Sequence, residues 1–379
     1  MLLNRRTFAL ALSVLSLSAA LPAHAGLFGG GDPDKVEAEP FDFDAAMNNP
    51  GSIAGDYFAT HMTQNLAGLK RVIIPAFQVR FCLSDDVART SSYSGQNYTM
   101  TSTKSAGVSV DLPDEVRQQL TDDLYQRVVQ RLQALGVEVV PVPRDAPIPE
   151  LQAGIKAMPP SGHVEDLTNV EQRTSKSDKK DSDSWFYPWA IHYPSDVTAV
   201  AFSGMSEAMP PFMSWLREAE LPQMPRSTLK IGKAMGTGIL TLAMEVRLEK
   251  MAFERGRFMG KGATIKAEPV LRTRLVGLKL VPDDGGFKAV AVGMGGGRLF
   301  AGMNYDGFGV QPLATVFGRP KHGDFPWIEM DGHYGPVVGT GTDGRWVLKP
   351  EPQVLAEDFR KITDAQLSMI FHLIGQARQ

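Results

Sequence analysis

Val72-Ile73-Ile74-Pro75-Ala76-Phe77-Gln78-Val79-Arg80-Phe81 opens the segment that decides the fold, which runs from Leu69 to Val142. Its β-branched and aromatic content is that of a largely buried strand. Asp114 to Leu135 then reads as a helix. Pro113 stands near its first turn, and Asp114 and Glu115 suit the positive end of its dipole. Val116, Leu120, Leu124, Val128 and Leu132 recur every four residues, and Val129 and Leu135 widen the stripe. Such a stripe needs a sheet to cover it. Gly136 stops the helix, and Val137-Glu138-Val139-Val140-Pro141-Val142 returns as a second strand. Strand, one-sided helix and strand after a glycine predict a β-α-β unit. The polar stretch Ala88–Val110 between them, with Ser91 to Thr103 rich in serine and threonine, predicts an inserted hairpin. That hairpin reads either as a surface loop or as a projecting ribbon that pairs with a neighbouring subunit.

Outward from this segment, the N-terminus is an address. Asn4-Arg5-Arg6 is positive, Phe8–Leu21 is apolar, and Ala23-His24-Ala25 offers a small-x-small cleavage site before Gly26. Residues 1–25 are thus read as a signal peptide cleaved after Ala25, which places the mature chain in a bacterial periplasm. Arg5-Arg6-Thr7-Phe8 also resembles a twin-arginine export signal, with Asn4, Ala9 and Leu10 departing from the pattern, so the general secretory and twin-arginine routes both stay open. No cysteine stands at the cleavage site, and no transmembrane helix is expected in the mature chain.

The net charge is −3 over 379 residues, and it becomes more negative by two once Arg5 and Arg6 leave with the signal. A mildly acidic body argues against nucleic acid as a partner, because phosphate binding needs clustered cations. The lone Cys82 excludes an intramolecular disulfide, and its place at the end of an apolar strand predicts a buried, inert thiol.

Residues 26–51, rich in glycine, proline and acid, read as a flexible leader. Ile53–Leu66 reads as a first helix containing His61, which has no second ligand at metal-binding spacing. The α/β module spans 52–160. Residues 161–184 read as a mobile polar loop or linker of mixed charge. Residues 185–350 form a β-rich part, opened by Trp185-Phe186-Tyr187-Pro188-Trp189-Ala190-Ile191-His192. These aromatics either fill a core or line a cleft for a ligand, with Trp185, Tyr187, Trp189 and His192 as its candidate residues. Pro210–Leu216 could start a short helix.

Leu240, Leu242, Met244, Val246 and Leu248 alternate with Thr241, Glu245, Arg247 and Glu249, which predicts a half-buried strand. Val270–Val281, a turn at Pro282–Gly286 and Phe287–Val292 continue it as an antiparallel meander, with Glu245, Arg247 and Glu249 facing Arg272 and Arg274 across strands. Gly293-Met294-Gly295-Gly296-Gly297 lacks the third glycine of a dinucleotide fingerprint, and Gly232-x-x-x-Gly236-x-Gly238 lacks the lysine of a phosphate loop, so both read as turn or bulge glycines. His322, Asp324, Asp331 and His333 would make a hydrolase constellation only if folded together. Thr363-Asp364-Ala365-Gln366 reads as a capping box within residues 351–379, which form one or two closing helices.

Taken with the Val108–Glu115 approach to the helix, the strand, Ser/Thr-rich excursion and Gly-Val-Glu-Val-Val-Pro return of residues 69–142 resemble a group of uncharacterised bacterial exported proteins. More faintly, they are similar to the α/β module of the curli-secretion lipoproteins and to the N-terminal module of the Tol-system propeller protein. The resemblance implies an envelope protein that works by binding or self-assembly, and it carries no catalytic residue and no cofactor. The expectation is therefore an exported α+β protein without a catalytic or metal site. The rival reading is a periplasmic hydrolase or ligand-binding enzyme built on the aromatic stretch and the late Asp/His groups.

Overall fold

The computed structural model describes residues 41–61, 66, 68–94, 99–174, 179–198, 226–254, 264–281, 292–294, 297–300, 308–312, 328–331, 337–340 and 345–379. In chain order the helices are α1 (Phe43–Asn48), α2 (Ala54–Tyr57), α3 (Asp114–Ala134), α4 (Pro149–Ala157), α5 (Arg226–Met235) and α6 (Pro352–Ala377). The strands are β1 (Phe58–His61), β2 (Arg71–Cys82), β3 (Ser84–Ser94), β4 (Thr99–Val110), β5 (Glu138–Val139), β6 (His163–Thr174), β7 (Lys179–His192), β8 (Gly238–Glu254), β9 (Thr264–Val281), β10 (Val292–Met294), β11 (Gly297–Phe300), β12 (Phe308–Pro312), β13 (Ile328–Asp331), β14 (Val337–Thr340) and β15 (Arg345–Leu348). The class is α+β, with a C-terminal helix closing a mixed sheet.

β2 is the axis of a 13-stranded sheet ordered β1-β12-β9-β8-β2-β7-β3-β4-β15-β14, with β13 on β9, β5 on β2 and β6 on β7. The β-α-β unit is present: β2 runs parallel to β5 (Arg71↔Glu138, Val72↔Val139), with α3 between them and the β3–β4 hairpin inserted before it. The returning strand is only two residues long. Pro141 and Pro143 remove donors that a longer ladder would need. Gly136 adopts φ +73°, a left-handed stop that lets Val137 N–H donate to Leu132 O at 2.9 Å and close the end of α3. The stripe Leu120, Leu124, Val128 and Leu132 is buried as its spacing requires, together with β2, β8 and α6. Arg127 ties α3 to α6 through Asp364 at 2.9 Å, and Asp123 receives Arg360 at 2.8 Å.

Several expectations need correction. The leader does not run to Gly51: Asp42 caps α1 by accepting from Ala45 N–H at 2.8 Å, and Ala46 is buried beside α6. The helix expected over 53–66 is one turn, α2, after which Phe58–His61 pairs with β12. Residues 161–184 are not a linker in backbone terms. Most of them belong to β6 and β7, paired from His163↔Ile191 to Thr174↔Lys180. Backbone ladders need no apolar alternation when both faces are polar, so composition hid these strands. β8 pairs with β9 as expected, but over residues 238–249 it is buried on both faces rather than one.

The closing element is one helix of 26 residues. Thr363 lies inside it, donating to Phe359 O at 2.5 Å instead of capping a new helix. The glycines at 293 and 297 sit in the β10–β11 pair, as a turn or bulge reading requires. The expected helix at 210–216 and the turn and strand over 282–291 lie outside the described residues.

Candidate functional site

Strand parity sets His192 apart from Trp185, Tyr187 and Trp189, the other residues of the expected aromatic cleft. Trp189 opposes Cys82 and His192 opposes Val79 on β2, so the two side chains project from opposite faces of the sheet. Trp189 is buried on the face away from α3, where the Arg247 guanidinium carbon lies 5.3 Å from its ring centre. Trp185 opposes Val87 and Asn169, and Tyr187 opposes Leu167, along the same strand. His322, Asp324 and His333 lie outside the described residues, while Asp331 ends β13 opposite Val270.

His192 is fully buried beneath the start of α3, edge-on to Phe81. Arg117 Nε lies 3.3 Å from its Nε2, Asp114 Oδ1 lies 3.4 Å from the same nitrogen, and Gln118 Oε1 lies 3.3 Å from Nδ1. Ser161 Oγ donates to Gln118 Oε1 at 2.6 Å, and Asp122 accepts from the backbone and hydroxyl of Ser195 at 2.8 Å each. Burial disfavours the imidazolium and lowers the His192 pKa to about 4, with Asp114 opposing that shift. Among the described residues no serine hydroxyl meets the imidazole in this seam. Its contacts fasten α3 to the ends of β6 and β7.

A second cluster sits where β2 passes into β3. β8 accompanies β2 from Val72↔Gly238 to Phe81↔Val246; beyond Leu83, β4 takes over as the neighbour. Charges converge at this fork. Glu245 receives Arg274, whose Nε donates to Oε2 at 3.0 Å, and Arg80 lies 3.9 Å away. Arg247 meets Asp85 at 3.3 Å. Glu245, Glu249, Asp85 and Arg274 are all buried.

Burial acts to raise the Glu245 pKa, but Arg274, Arg80 and Arg247 together outweigh it and hold the group below the ordinary carboxylate value. Glu249 goes the other way: burial, aided by the charge of Asp85, pushes it up to about 7. Cys82 donates to Ser84 O at 3.2 Å, and burial, reinforced by Glu249, raises its pKa well above the usual thiol value. Such a thiol is inert, and the balanced charges around it specify the fork more than they offer a reacting group.

Beyond the fork, four strands in the order β6-β7-β3-β4 make a long polar ribbon. β3 runs between β4 and β7, and β7 between β3 and β6. β4 gains β15 only over Gly107–Val110. β6 pairs with β7 along all 12 of its residues and has no second neighbour among the described residues. Among the described residues, its outward-facing N–H and C=O groups therefore form an open edge.

Near the other end of α3, Met47, Arg131, Leu135, Ser368, Phe371 and His372 line an open cleft of about 310 Å³, in which the Ser368 hydroxyl donates to Met47 Sδ at 3.7 Å. Among the described residues no helix is long and apolar enough to cross a membrane. Comparison with known proteins gives no match: no family model matches the chain, and neither do any curated proteins or solved structures.

Proposed function

We propose that this chain is an exported bacterial envelope protein that works by binding or assembly through the edges of its polar ribbon. The observation that supports this reading is the β6 edge, open among the described residues, because an unpaired row of backbone donors and acceptors is a template for another strand. Main-chain pairing supplies affinity there without an apolar face, which suits the serine- and threonine-rich composition of β3 and β4. The signal-like N-terminus supports export: Arg5-Arg6, the apolar run to Leu21 and Ala23-His24-Ala25.

The test is fractionation of a Gram-negative host that expresses the full chain with a C-terminal tag. The expected product begins at Gly26, is released with the periplasm, and migrates on native gels above monomer mass. A variant in which Asn-Gly replaces residues 171–183 shortens β6 and its edge while keeping Val170↔Ser184 as the last pair of that hairpin. It should run as a smaller species. An unprocessed chain in the cytosol, or a complex unchanged by the shorter ribbon, would refute the proposal.

A further inference from the structure

The β6 edge carries a charge pattern that selects its own complement. A two-fold axis normal to a sheet can pair a strand with its own copy in antiparallel fashion, and the residue on the axis then fixes the whole register. β6 reads His163-Val164-Glu165-Asp166-Leu167-Thr168-Asn169-Val170-Glu171-Gln172-Arg173-Thr174.

With Thr168 on the axis, Glu165 opposes Glu171 twice, which is repulsive. With Val170 on the axis, Arg173 opposes Leu167 and Glu165 overhangs the end of the strand. With Asn169 on the axis, Glu165 opposes Arg173 twice, Asp166 opposes Gln172, and no like charges meet. That register also overlaps the strand from Val164 to Thr174. Directly opposed side chains in antiparallel strands interact most strongly, so the pattern favours one alignment over its neighbours. Glu165 and Val164 are exposed at the start of this edge. Within its own chain Glu165 lies 3.4 Å from His163, an exposed contact that leaves the carboxylate accessible.

We propose that two copies of the chain join through β6, antiparallel about Asn169, so that Glu165 of each faces Arg173 of the partner subunit and the two ribbons become one continuous sheet. This rests on the ribbon being an assembly surface and names its partner as a second copy. The closed two-fold also removes both β6 edges, which limits growth into fibres.

The experiment is sedimentation velocity on the purified mature chain, wild type against Glu165→Arg and Arg173→Glu, each checked for folding by thermal melting. The wild type should be a dimer. Each single variant opposes like charges twice and should dimerise about tenfold more weakly or worse. An equimolar mixture of the two should regain wild-type dimerisation, because the arginine introduced at position 165 then faces the glutamate introduced at position 173. The native pair meets in the same way on the other side of the axis. The double variant alone should recover too.

Arg173 also opposes Asp181 on β7, so Arg173→Glu could disturb its own hairpin. Asn169→Cys avoids this. On the axis it meets its own copy and should form a symmetric disulfide under mild oxidation, while Thr168→Cys should not; the single native thiol, Cys82, is buried. A monomeric wild type, singles that dimerise normally, a mixture that fails to recover, a ladder of larger species, or crosslinking through position 168 would each overturn the inference. A monomer in solution alongside a ribbon-dependent envelope complex would overturn self-pairing alone. A complex indifferent to the ribbon would overturn the functional reading beneath it.

Discussion

Strands β8 and β6 belong to one sheet and are held in different ways. β8 has β2 and β9 on its two edges, apolar residues packed toward α3 and α6 on one face, and a buried charge cluster on the other. β6 has a single neighbour among the described residues and a polar sequence. The first strand is stabilised by burial, which is worth about 25 cal/mol for each Å² of apolar surface removed from water. The second is held by main-chain hydrogen bonds, each contributing only about 1 kcal/mol net. One region keeps the molecule folded; the other leaves bonding capacity facing outward.

The largest expected effect breaks the β8 side of this comparison. Glu245→Ala removes the carboxylate that meets Arg274 and Arg80 in a buried setting, and should cost about 3–5 kcal/mol in urea unfolding. An equivalent loss at β6, such as Glu165→Ala, should change stability by under about 0.5 kcal/mol.

A smaller effect sharpens the comparison through pH. The folded-state pKa of Glu249 is raised to about 7, above its ordinary value of 4.5, so the folded state binds the extra proton between those two values. Glu249 therefore favours unfolding progressively as pH rises from about 4.5 to about 7, and by a constant amount above that. Glu249→Gln should abolish that slope and leave the variant more stable than wild type at about pH 8.5 by about 3 kcal/mol. Equal pH dependence in wild type and variant would show that the fork does not hold this carboxyl protonated.

The same contrast explains what can be read from residues alone. β2, α3 and the Gly136 stop are legible because one-sided burial writes periods of 2 and 3.6 into the chain. The Leu240–Leu248 alternation locates β8 for the same reason. The pairing of Glu245 with Arg274 is legible as a cross-strand contact and is present, but the burial of this charged face is not legible, because its further countercharges come from Arg80 and Asp85 on other strands at no recognisable spacing. His192 is a similar case: its neighbours Asp114, Arg117 and Gln118 lie more than 70 residues away in sequence. β6 and the first half of β7 leave no signal, since their polar sequence carries no apolar period. The Thr363–Gln366 capping box fails because α6 has already begun at Pro352, and packing against the core carries the helix through it.

The central claim is that β6 is open in one copy and closed by another, whereas β8 is already complete. Amide hydrogen exchange across a range of protein concentrations tests it most directly. Residues 239–249 of β8 should exchange slowly at every concentration. Alternate amides of residues 164–174 should exchange quickly in dilute protein and become protected as concentration rises. Amides in β6 that exchange at one rate throughout that range, fast or slow, would contradict the account.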